Sequence, residues 1–175
     1  DNANAKDGEE KKEDGEGGHV ASAAKSYLAF LQAKKTTNAV VEYVFSASRL
    51  KLYVEKENCL ISFVLAGIRT PMTKNKETGE VDPLGVAANE FVRDNFQQHD
   101  VKIETETCYR GDHFLATVWA NKQNLSVVLL ERGLATVYGF SADRSTYKED
   151  LYAAEEKAKA ARLGVWKDWD PEEAA

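Results

Sequence analysis

The chain has 175 residues, 43% hydrophobic and 30% charged, enough for one domain with a packed core and too short for two of typical size. Its net charge of −6 excludes a strongly basic domain. No apolar run approaches the roughly 18 residues of a membrane span.

In chain order, residues 1–18 (DNANAKDGEEKKEDGEGG) carry seven acids, three bases and no aromatic or large aliphatic side chain. Such a segment cannot bury enough surface to offset its ordering entropy, so 1–20 is read as a disordered acidic linker. Its start has no basic-then-apolar leader pattern, and the absence of an initiator Met suggests a fragment of a longer, multidomain chain. Residues 21–38 are read as an N-terminal helical extension, because Ala24, Tyr27, Leu28 and Leu31 fall at helical spacing and predict a helix over 21–34.

The period then changes to two. Residues 40–45 (VVEYVF) are rich in strand formers, and 49–55 alternate, with Leu50, Leu52 and Val54 on one face and Arg49, Lys51 and Tyr53 on the other. An apolar third strand spans 59–66. A long polar connection runs from Gly67 to Gly85, a length that is often functional. Leu84, Ala88, Phe91, Val92 and Phe96 predict an amphipathic helix over 84–97. Strands at 101–107 and 114–120 follow, joined by a turn through Tyr109-Arg110-Gly111-Asp112. Asn124 caps a helix over 125–132 that stops at Gly133, and a short extended piece occupies 135–139. The last helix is expected to open on a capping box, Thr146 with Glu149, and to bury Tyr147, Leu151, Ala154, Ala158 and Ala161. Trp166 is expected in the core, and 169–175 is an acidic tail. Short, mostly antiparallel strands with appended helices predict an α+β fold around a small barrel spanning 39–168.

Few motifs carry chemistry. Arg110-Gly111-Asp112 is plain turn chemistry, and Asn124-Leu125-Ser126 is a helix cap. His19, His99 and His113 lie far apart with no second ligand at metal-binding spacing, and no glycine-rich phosphate loop or nucleophile elbow occurs. Cys59 and Cys108 cannot build a disulfide framework and are expected as free, buried thiols of a reducing compartment. The acidity sits at the two ends, since residues 40–167 carry 18 acids and 17 bases. A local basic patch is therefore compatible with the charge, and Arg49, Lys51, Arg69 and Arg110 are candidates to line one wall of the barrel and contact phosphates.

The runs VVEYVFSASRLKLYVEKENCLISFVLAGIRTP, GVAANEFVRDNF, HFLATVWA, NLSVVLLERGLATV and AAEEKAKAARLGVW resemble a staphylococcal-nuclease-like domain. More narrowly they resemble the fourth such repeat of the Tudor staphylococcal nuclease family. The resemblance implies an OB-fold barrel of five strands with packed helices. It also implies roles in transcriptional coactivation, splicing and RNA silencing, in the cytoplasm and nucleus, with RNA (double-stranded RNA included) and protein partners.

The family's founding nucleases cleave phosphodiesters with calcium held by carboxylates, a glutamate acting on the attacking water and two arginines stabilising the phosphoryl charge. Aligned on the resemblance, the aspartate of the first β-turn falls on Ser48, the first arginine on Val64 and the aspartate before Thr70-Pro71 on Arg69. The glutamate after it falls on Met72, and the second arginine on His113. No catalytic residue, metal ligand or cofactor site carries over, so the expected function is that of a non-catalytic module binding RNA, protein partners or both. Two alternatives stand beside it: a pure protein–protein scaffold, and a residual calcium-dependent nuclease using His113 with Glu104 or Asp112.

Overall fold

The computed structural model describes residues 31–33, 36–109 and 113–173. The acidic linker, most of the N-terminal helix, and the turn carrying Arg110 and Asp112 lie outside the described residues. Residues 31–33 are helical; Leu31 is buried and the Gln32 amide donates to the Glu106 carbonyl.

Five long strands form the barrel: β1 (Thr37–Ser46), β2 (Arg49–Val54), β3 (Cys59–Leu65), β5 (Asp100–Tyr109) and β6 (His113–Ala120). They are ordered β3-β2-β1-β5-β6, and a parallel pairing of β3 with β6 closes the ring. This is the five-stranded OB-type barrel of an α+β fold. Closure removes the free edges of the sheet, so alternation alone decides what is buried. Leu50, Leu52, Val54, Phe63, Leu65, Ile103 and Val118 all point into the barrel at 1% exposure or less.

The connection after β3 is more structured than its polar composition suggests. Ile68–Arg69 form a short strand, β4, paired with β8 (Thr136–Val137), and Lys74 bridges Val81 across a small hairpin. Helix α1 (Pro83–Phe96) then starts with Asp82 as its cap, accepting from Leu84 N at 2.9 Å. It lays Ala88, Val92 and Phe96 against the barrel. Its buried Asn89 accepts from Ala47 N at 2.7 Å and so holds the β1–β2 turn.

A two-residue strand, β7 (Gln123–Asn124), leads into α2 (Leu125–Glu131), where Asn124 Oδ1 accepts from Ser126 N at 3.0 Å as the sequence predicts. The extended piece expected at 135–139 divides into β8 and a short helix, α3 (Gly139–Ala142). The final helix is α4 (Lys148–Ala160), and its expected capping box does not form. Tyr147 sits at the cap position, one residue late for Thr146 to bond the first turn, and Ser145 Oγ accepts from Tyr147 N at 3.1 Å instead. Ala161 lies past the helix end and is exposed; Glu155 takes a buried position on that face, where its carboxylate accepts from Val137 N at 2.6 Å and pairs with Lys159. Trp166 is half-buried rather than in the core, with the Lys159 ammonium 4.7 Å from its ring centre. Cys59 is a free thiol, half-buried, and burial raises its pKa. No helix among the described residues is long and apolar enough to cross a membrane.

Candidate functional site

Where the β1–β2 turn, the β4–β8 ribbon and α3 meet, they enclose a groove of about 730 Å³. The ribbon sets its arginine and its first aromatic. Gly67, at φ +83°, turns the chain out of β3, and its carbonyl accepts from Tyr138 N at 2.9 Å while its own N–H donates to Ser141 Oγ. A left-handed φ of this kind suits glycine, which has no Cβ to clash. Arg69 then pairs with Thr136 across the ribbon, and its guanidinium lies 4.0 Å from the centre of the Tyr138 ring. Helix α3 continues the line. Phe140 stands 65% exposed, 6.1 Å from Tyr138 between ring centres, and the Arg144 guanidinium sits 4.5 Å over it.

The result is a ladder of Arg69, Tyr138, Phe140 and Arg144 along one side of the groove. Neither arginine pairs with a carboxylate among the described residues. Ser48 and Thr70 also line the groove, the Thr70 hydroxyl 3.1 Å from Ser48 Oγ. The groove's carboxyl group is Glu106. Burial is the main reason its pKa is raised; a hydrogen bond from Ser145 opposes the shift and the neighbouring Glu104 adds to it. Glu104 is itself held by the Tyr147 hydroxyl, at 2.7 and 2.8 Å. Burial first, and then that hydrogen bond, push Tyr147 up to about 12.

Of the positions matched to the family's catalytic set, the groove gathers Ser48, Val64 and Arg69. Met72 is exposed in a separate depression beside the 74–81 hairpin, and His113 meets Arg49 at 2.6 Å (Nε2 to Nη2) on the sheet beside the groove but outside its lining. Calcium needs about six to eight oxygen ligands. The groove offers the neutral hydroxyls of Ser48, Thr70, Thr107, Ser141 and Thr146 and one carboxyl whose burial disfavours ionisation, all beside two guanidinium groups. These residues do not fit the ion. Nor are His113 and Glu104 brought together: His113 lies opposite Tyr109 and Glu104 opposite Thr117, four positions along β6. At about 3.3 Å per residue that is roughly 13 Å. Asp112 is outside the described residues.

The expected basic wall is divided. Arg49 and Lys51 lie on the outer face of β2, Arg69 is in the groove, and Arg110 is outside the described residues. The division follows from β4, which turns Arg69 away from the main sheet and onto the ribbon with β8. Sequence reasoning missed Tyr138, which it placed in an extended piece over 135–139, and Phe140 and Arg144, which it left unassigned between that piece and the last helix. The available signal was the four-residue spacing of Phe140 and Arg144, which a helical turn would bring together, although Arg144 itself lies two residues past the end of α3.

The family model described as "Staphylococcal nuclease homologue" matches residues 62–168, more than half of the chain. The chain is 38% identical over 150 residues to Staphylococcal nuclease domain-containing protein 1 of Drosophila melanogaster, covering 82% of this chain and 16% of that one. It is 39% identical over 151 residues to Ribonuclease TUDOR 1 of Arabidopsis thaliana, covering 86% and 14%. It is 29% identical over 151 residues to Staphylococcal nuclease domain-containing protein 1 of Schizosaccharomyces pombe, covering 86% and 17%. The chain thus spans about one sixth of the length of these relatives.

Proposed function

Because the chain belongs to the staphylococcal nuclease homologue family, in its Tudor-type branch, we propose that it is a module that binds RNA by its phosphates and does not cleave it. The observation that carries this reading is the Arg69–Tyr138–Phe140–Arg144 ladder. A guanidinium stacked on a ring is held in place, yet its in-plane N–H groups can still meet phosphate oxygens. RNA rather than DNA is supported by the word "Ribonuclease" in the name of one relative. The proposed setting is a longer protein of the cytoplasm and nucleus that serves transcriptional coactivation, splicing and RNA silencing.

Absence of cleavage follows from the charge of the groove. A calcium-assisted site gathers negative charge on the protein before it takes up a phosphate, whereas Arg69 repels a divalent ion and Ser48 supplies only a neutral oxygen. Val64 has no donor for the charge that builds on a phosphoryl group. One such donor, removed alone, typically costs about 10²–10³ in rate.

The test is to incubate end-labelled RNA with the chain in calcium or in a chelator, at low salt. The expected result is RNA retained on the protein and intact under both conditions, with no calcium binding detected by calorimetry. Cleavage that requires calcium would return the residual-nuclease reading. RNA left unbound at low salt would favour the protein–protein scaffold.

A further inference from the structure

Across β1, β2 and β3, the outer face of the barrel carries an arrangement that the groove does not use. We infer that this face is a stacking platform for single-stranded RNA, continuous with the groove; the inference rests on the RNA-binding reading above. Alternation along β2 turns Arg49, Lys51 and Tyr53 outward, and the register sets Tyr43 of β1 opposite Lys51 and Leu60 of β3 opposite Tyr53. Two irregularities in the β1–β2 pairing, between Val41 and Tyr43 and between Val44 and Ser46, flank a stretch where both Tyr43 and Phe45 face solvent. Tyr43 is 49% exposed and Phe45 45%, their rings edge to face at 5.0 Å. Large aromatic rings left in water forgo the stabilisation that burial would give them, so their place on a strand that could turn them inward calls for a ligand.

The charges specify what that ligand is. The Arg49 guanidinium lies 5.5 Å from the centre of the Phe45 ring and bonds His113, while Lys51 lies across from Tyr43. The carboxylate nearest the platform along β1 is Glu42, at the bulge, beside the Tyr53 end. Aromatic rings interleaved with cations match a polymer that alternates flat bases with phosphates, and they match an aliphatic protein surface poorly. The face also joins the groove. Arg49 is paired with Val64, and Val64 and Ser48 both belong to the groove wall. A strand whose phosphate sits on Arg69 and Arg144 can therefore leave the groove across Val64 and reach the rings. A duplex cannot use the rings in this way, because its bases are already stacked on each other and only unpaired bases can splay out.

The test uses the full chain and two probes, a labelled 15-residue uridine RNA and a blunt RNA duplex of equal length, each titrated at several salt concentrations. The expected result is tighter binding of the single strand. Tyr43→Leu with Phe45→Leu, which keeps the apolar bulk and removes the ring faces, is expected to weaken the single strand about tenfold or more. It should leave duplex binding and the salt slope nearly unchanged, and Tyr43→Trp should preserve single-strand affinity. Equal weakening of both probes, no change in either, or a wild-type preference for duplex would overturn the platform. So would concentration-dependent self-association of the chain that the double change abolishes, which would mark the face as a protein interface. The two readings fail separately. If RNA is bound and Arg69→Ala with Arg144→Ala lowers the salt slope while the ring variants do nothing, only the platform falls. If neither probe binds at low salt, both readings fall.

Discussion

Arg69 and Arg144, like Arg49 and Arg132, are each held against a ring, at 4.0 and 4.5 Å, without a carboxylate partner among the described residues; what sets them apart is that both line the groove. Such stacking is worth about 0.5–1 kcal/mol at an exposed site, enough to restrict a long side chain without neutralising it. Glu106 works against them. Its raised pKa means that its ionised form is disfavoured in the folded groove. A group whose folded pKa lies above its unfolded one adds stability at low pH that is lost as the pH rises through the raised value. Glu106→Gln removes that penalty and one negative charge from the groove. The expected outcome at neutral pH is an unchanged or higher melting temperature together with several-fold tighter RNA binding. Weaker RNA binding would instead show that the carboxylate helps hold the groove open.

Among the secondary-structure elements, the barrel strands were legible and the ribbon beside the groove was not. Leu50, Leu52 and Val54 alternate without a break, and closure of the barrel leaves no competing register, so period and burial agree. Strands β4 and β8 have two residues each, too few for any period to show. Their place is fixed by hydrogen bonds between residues distant in sequence, such as Glu155 with Val137 N and Gly67 with Ser141 Oγ. Half of the groove therefore lay beyond sequence reasoning: Ser48 and Val64 were found through the resemblance and Arg69 already from the charge distribution, while Tyr138, Phe140 and Arg144 depend on a fold-back that no local pattern announces. The outward rings of β1 were hidden for a related reason, since a bulge changes which side chains face out without changing composition.

Gly133 and Gly164, read from the sequence only as the stops of two helices, have a further role where those helices end together. A Cβ on Gly133 would come within 2.2 Å of Leu163 O, and one on Gly164 within 2.1 Å of Gly133 O. Both residues have positive φ, at +69° and +52°. The two backbones touch, joined by Val165 N donating to Gly133 O at 2.9 Å. Gly133→Ala is expected to cost more than about 1 kcal/mol, measured by chemical denaturation, because both the backbone conformation and the space exclude a methyl group. A loss of only a few tenths would mean that α2 and α4 can separate at their ends without penalty.

Taken as a whole, the molecule is acidic, with a net charge of −6, and the proposed RNA binding depends on how that charge is distributed. The first 18 residues hold −4 of it, while the segment 40–167 is close to balance. Attraction to RNA is therefore local and screened over about 10 Å at ordinary salt, so it acts through the few cations that touch phosphate. Removing residues 1–20 should tighten RNA binding at low salt and matter little at high salt, as long-range repulsion does.

In the proposed reading, two stacked arginines hold phosphate in a groove whose residues do not fit calcium. The most direct measurement is the salt dependence of RNA affinity for the wild-type chain and for Arg69→Ala with Arg144→Ala. The account predicts that the double change weakens RNA of every sequence alike and flattens the logarithmic salt slope by up to about two, roughly one for each phosphate that is no longer neutralised. An unchanged affinity and an unchanged slope would contradict it.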